Sequence, residues 1–75
     1  MSQQAYIEKT LVGAFPDSVI EVIDTTGGGD HFQVKIVSNR FDGLTMIEQH
    51  RLVYAELGER VGHEIHALGL NTSAK

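Results

Sequence analysis

Thr45 stands three residues ahead of Glu48, at the head of a run in which Met46, Ile47, His50, Val53, Tyr54, Leu57 and Val61 recur at three- and four-residue steps. Thr followed by Glu at that spacing is a capping box: the threonine oxygen accepts a helix N–H while the glutamate reaches back to an N–H ahead of the first turn. A helix therefore starts near Met46, and the recurring side chains form one face of a 3.6-residue period that has to lie on something apolar. Gly58 and Gly62 are the places where the chain can leave that helix. Beyond them Ile65 to Leu70 reads as a strand, with Ile65 and Ala67 in one register and His66, Leu68 and Leu70 in the other. Asn71 to Lys75 is short and polar and reads as a frayed end.

The first half of the chain supplies what this helix covers. Ser2 can cap a first helix whose apolar positions Ile7, Leu11, Ala14 and Phe15 share a face, and Pro16-Asp17 ends it. Val19 to Ile23 is β-branched except for Glu21, so it is a strand candidate. Thr25-Thr26-Gly27-Gly28-Gly29-Asp30 is a turn. From His31 to Val37 polar and apolar residues alternate, which sends Phe32, Val34 and Ile36 to the core and His31, Gln33 and Lys35 away from it. Two strands joined by a short glycine loop pair as an antiparallel hairpin. Ser38 to Gly43 is a connector. Helix, strand, strand, helix, strand gives an α+β fold of αββαβ order, a three-stranded sheet with both helices on one face. The 75 residues form a single domain, with a core from about 5 to 72.

Several function classes drop out on composition. Six Lys plus Arg against ten Asp plus Glu leave a formal charge of −4, so the whole-molecule field repels phosphate backbones and acidic membranes, and nucleic-acid binding needs a local basic patch. No apolar run approaches the ~20 residues of a membrane span, and the polar start is not a signal peptide, so the simplest compartment is the cytosol. With no cysteine the chain has no disulfide, no thiol nucleophile and no thiolate metal site of its own. His31, His50, His63 and His66 are the remaining good metal donors.

No catalytic constellation stands out. Gly27-Gly28-Gly29 lies between two strands and lacks the strand-to-helix setting of a phosphate loop, so it reads as a structural turn. Ser38 has no sequence-evident His and Asp partners, and Glu56 with Glu59 reads as a solvated helix face. His50 is in phase with the helix core stripe and reads as a partly buried packing residue. His63 falls in the break after the helix, where a cation suits the helix dipole. His31 and His66 each begin a strand behind a glycine-containing segment, so their rings can meet on one ion if those strand starts lie side by side.

Asp24 with its glycine turn, His31-Phe32-x-Val34, Ile36-Val37-Ser38, Phe41-Asp42-Gly43, His50-Arg51-Leu52-Val53-Tyr54 and Ile65-His66-Ala67-Leu68 together resemble the BolA family of small stress and iron-sulfur proteins, over about residues 7 to 72. The resemblance implies a fold similar to class II KH domains. It also implies a non-enzymatic adaptor that partners a monothiol glutaredoxin and shares a [2Fe-2S] cluster with it and its bound glutathione. The family's cluster-binding histidine falls on His66, and the second ligand, which comes from the loop between the first two strands, falls on His31. The family also carries a DNA-binding regulator role, for which Lys35, Arg40, Arg51 and Arg60 are the candidate cations. Glu48-Gln49-His50-Arg51 stands where relatives often carry Gln-Arg-His-Arg, which makes that helix less basic. A homodimer is a further possible state.

Overall fold

The computed structural model describes residues 3–62, 65 and 67–75. The elements are α1 (Gln3–Ala14), β1 (Val19–Asp24), β2 (His31–Val37), α2 (Met46–Leu57) and β3 (Ala67–Ser73), with 3-10 turns at Asn39–Phe41 and Gly58–Arg60. β2 is the central strand. It pairs antiparallel with β1, from Val19 opposite Val37 to Asp24 opposite Phe32. It pairs parallel with β3, from His31 beside Ala67 to Val37 beside Ser73.

The alternation in β2 does what its sequence requires: Phe32, Val34 and Ile36 are buried, while Gln33 and Lys35 are exposed on the opposite face. α1 packs against β1 and α2, and α2 packs against β3. Ile7 and Leu11 from α1 and Phe15 just beyond it meet Val22, the three inward residues of β2, and Val53 and Leu57 from α2 in one core. Each large side chain buried there contributes about 1.5–3 kcal/mol. Pro16 stops α1, and Asp17 turns the chain with φ 60. The proposed cap Ser2 lies outside the described residues.

Two expectations are corrected. The third strand is displaced toward the C-terminus: it runs from Ala67 to Ser73 rather than from Ile65 to Leu70, and Asn71–Ser73 is paired rather than frayed. The reason is tertiary. Thr72 takes a core position at 3% exposure, and the N–H of Ser38 donates to the carbonyl of Ser73 at 3.0 Å, so strand pairing overrides the weak β-propensity of asparagine. Ile65 is buried ahead of the strand, bridging to Val61.

The second correction is the face of α2. Its capping box forms as read, with the Thr45 hydroxyl accepting from the Glu48 N–H and the Glu48 carboxylate accepting from the Thr45 N–H. The buried stripe, however, is Gln49, Val53 and Leu57. Met46 is 55% exposed and Ile47 64%. At about 100° per residue the helix sits about 60° round from a face centred on His50. Gln49 is buried with its side-chain NH2 donating to the carbonyl of Leu44 at 3.0 Å, which meets only half of its polarity, since its Oε1 is buried with no hydrogen-bond partner among the described residues.

Candidate functional site

The glycine loop between β1 and β2 is organised by one carboxylate. Asp24 Oδ1 accepts the N–H of Thr26 at 3.3 Å and of Gly27 at 2.9 Å, and Oδ2 accepts the N–H of Gly29 at 2.9 Å. The Thr26 hydroxyl takes the N–H of Gly28 at 3.2 Å. Gly27 and Gly29 have φ of 77 and 78, a left-handed conformation that a Cβ makes costly. A loop that reads as a bare turn is thus a cradle of main-chain donors, filled by the chain's own side chain. Asx turns of this kind are signalled by an acid ahead of a glycine run. In the sequence, Asp24 ahead of the glycines signals the turn but not which amides its carboxylate takes.

The loop ends at the place where β2 and β3 begin. The N–H of Ala67 donates to the carbonyl of Asp30 at 3.2 Å and the N–H of Thr25 to that of His31 at 3.0 Å. Because β2 and β3 are parallel and His31 is the register partner of Ala67, the two strand starts lie side by side. His31 is on the sheet face away from the helices, its side chain 45% exposed and its Nε2 3.8 Å from a carboxylate oxygen of Asp30. His66 and His63 lie outside the described residues. His50 is half-buried on α2, and its Nε2 is buried with no hydrogen-bond partner.

A metal-binding role has to fit this donor set. The chain has no cysteine, and among the described residues no group of three or more His, Cys, Asp or Glu side chains could hold a metal ion. Iron-sulfur clusters take thiolates or a mixture of thiolate and histidine. An exposed imidazole at a strand corner suits the histidine part of such a set, with thiolates supplied from another molecule.

The four candidate cations are scattered. Lys35 is on the sheet face opposite the helices, across from Glu21 on β1. Arg40 lies over the Phe15 ring at 4.8 Å from its centroid, donates to the carbonyl of Ala14, and is 4.0 Å from Glu56. Arg60 lies 3.9 Å from the centroid of the Tyr6 ring and donates to Gln3. Tyr6 in turn donates to the carbonyl of Leu57 at the end of α2. Arg51 is exposed on α2. Arg40 and Arg60 therefore brace the ends of α1 and α2, and the lysine faces elsewhere.

The family described as BolA-like protein matches residues 12–75. The chain belongs to the BolA family. It is 38% identical over 74 residues to human BolA-like protein 1, covering 89% of this chain and 54% of that protein. It is 37% identical over 73 residues to the DNA-binding transcriptional regulator BolA of Escherichia coli, covering 88% of this chain and 70% of that one. BolA1 from Arabidopsis thaliana has a solved structure that superposes with a TM-score of 0.88 at 27% identity, over 99% of this chain and 93% of the other. The chain spans about half the length of the human relative. No helix among the described residues is long and apolar enough to cross a membrane.

Proposed function

We propose that this BolA-family chain is a non-enzymatic adaptor that joins a monothiol glutaredoxin and co-ligates a [2Fe-2S] cluster through His66 and His31, for cluster trafficking or for sensing iron. The observation that carries the reading is the register of His31 with Ala67. It brings the start of β2 beside the start of β3, next to which His66 stands in the chain, at a corner where imidazole is exposed and cysteine is lacking. The glutaredoxin cysteine and its glutathione complete the coordination. When bound, the cluster supplies electron transfer or a transferable iron-sulfur unit. Ligation through imidazole makes its retention sensitive to acid, because the ring has to be unprotonated to bind.

Reconstitution with a monothiol glutaredoxin, glutathione, iron and sulfide tests this by visible circular dichroism. A cluster spectrum that needs both proteins is expected, altered in His66→Ala and in His31→Ala. Variant spectra identical to wild type would refute it.

A second reading, DNA binding, is favoured by the name of the Escherichia coli relative. The −4 charge and the engagement of Arg40 and Arg60 with aromatic rings count against it. A gel shift whose affinity falls steeply with salt would support it.

A further inference from the structure

We propose that Asp24 is the positioning residue of this half-site: by closing its carboxylate on the N–H groups of Thr26, Gly27 and Gly29, it sets where His31 stands relative to the start of β3. This rests on the functional reading above.

A loop of six residues that includes three consecutive glycines has an unusually large conformational entropy to lose on ordering. Its apolar side chains do not anchor it, because Thr25 to Asp30 has none. What anchors it is polar. Both oxygens of Asp24 are used, one on Thr26 and Gly27 and the other on Gly29. Charge-assisted bonds to main-chain N–H groups are about twice as strong as neutral ones. The clasp leaves the loop one path, with left-handed Gly27 and Gly29. That path delivers Asp30, whose carbonyl takes the N–H of Ala67 and whose carboxylate lies 3.8 Å from the His31 ring. Asp24 is therefore linked to both strand starts without facing the donor corner itself. With its oxygens turned to the loop, its role is to hold the ligands' spacing rather than to bind metal. Residues that orient metal ligands from behind in this way typically alter metal affinity by about 10–100-fold when removed.

The test compares Asp24→Ala, Asp24→Asn, His31→Ala and His66→Ala with wild type, first as apo-protein and then reconstituted with a monothiol glutaredoxin, glutathione, iron and sulfide. In apo Asp24→Ala, amide exchange at Thr26, Gly27 and Gly29 accelerates while far-ultraviolet circular dichroism is unchanged. In the reconstituted complex the half-life of the visible spectrum falls about tenfold. Millimolar acetate, entering the vacated cradle, restores part of it, an effect that general destabilisation does not give. Asp24→Asn falls between, because its amide oxygen still accepts from Thr26 and Gly27 while its NH2 opposes the Gly29 N–H; it also serves as the test variant if the alanine form does not fold. Loosened loop amides with a wild-type half-life in the Asp24 variants, beside a defective His31→Ala, overturn the positioning role and leave the half-site standing. Wild-type behaviour of both His31→Ala and His66→Ala refutes the half-site, and the positioning role with it.

Discussion

Two carboxylates in this protein do the same chemical job in opposite settings. Glu48 closes the capping box at the start of α2, accepting the Thr45 N–H at 2.8 Å. Asp24 closes the glycine loop, accepting three N–H groups. α2 would form without its box, because Val53 and Leu57 bury its face in the core, and packing supplies most of a short helix's stability. The loop from Thr25 to Asp30 has no such support. One carboxylate trims an element that exists anyway; the other creates the local structure it sits in.

The comparison breaks if the loop is indifferent to its clasp. Replacing both Gly27 and Gly29 by Ala asks two side chains to adopt left-handed backbone, at about 1–2 kcal/mol each, so urea unfolding should show a loss of about 2–4 kcal/mol. The double variant combined with Asp24→Ala should lose little more than the glycine variant alone, because both changes open the same loop and effects within one network are not additive. Full additivity would mean that the aspartate and the glycines act separately. Thr45→Ala, at the other carboxylate, should cost about 1 kcal/mol, as N-cap threonines usually do.

How much of this could be read beforehand follows from how local each device is. The capping box is legible because both its residues and the atoms they serve lie within one turn of sequence. The order αββαβ was legible for the same reason, since period and turn chemistry are local. The C-terminal limit of β3 was not: Asn71 and Thr72 look like a tail until Thr72 packs under α2 beside Met46 and the main chain pairs with β2. Nor was the rotation of α2, which buries Gln49 with Val53 and Leu57 and rests the Gln49 amide on the carbonyl of Leu44. At the candidate site, the exposure of His31 followed from alternation, and its closeness to the start of β3 needed the parallel pairing. The Asp24 clasp was half legible. An acid before glycines announces a turn, but which amides it binds depends on two backbone signs that no residue name specifies.

The pH behaviour of the capping box sharpens the contrast. The Glu48 carboxyl is held below its ordinary value of 4.5, first by the Thr45 main-chain N–H, then by the Thr45 side chain, with Arg51 adding a smaller pull against slight desolvation. A lowered folded-state value means stability that is present above about pH 4.5 and drains away as pH falls through the folded value. Acid unfolding of the apo-protein should accordingly be shallower in Glu48→Gln below that pH. The effect is small, because the group is fully exposed and water screens it.

The smallest effect is expected at Gly69, which separates glycine as a backbone requirement from glycine as an accident. Gly69 lies on β3 beside Gln33, one register step of the same face from His31 and Ala67. A Cβ there would come within 2.2 Å of Gln33 Oε1, the far end of an exposed and flexible side chain that can swing aside. Its φ is ordinary for a strand residue, unlike those of Gly27 and Gly29. Gly69→Ala should therefore leave stability within about 0.5 kcal/mol of wild type, or raise it slightly by narrowing the unfolded ensemble. A loss comparable to that of the loop glycines would show that Gln33 is fixed across Gly69, and that the open face of the sheet is as constrained as the loop beside it.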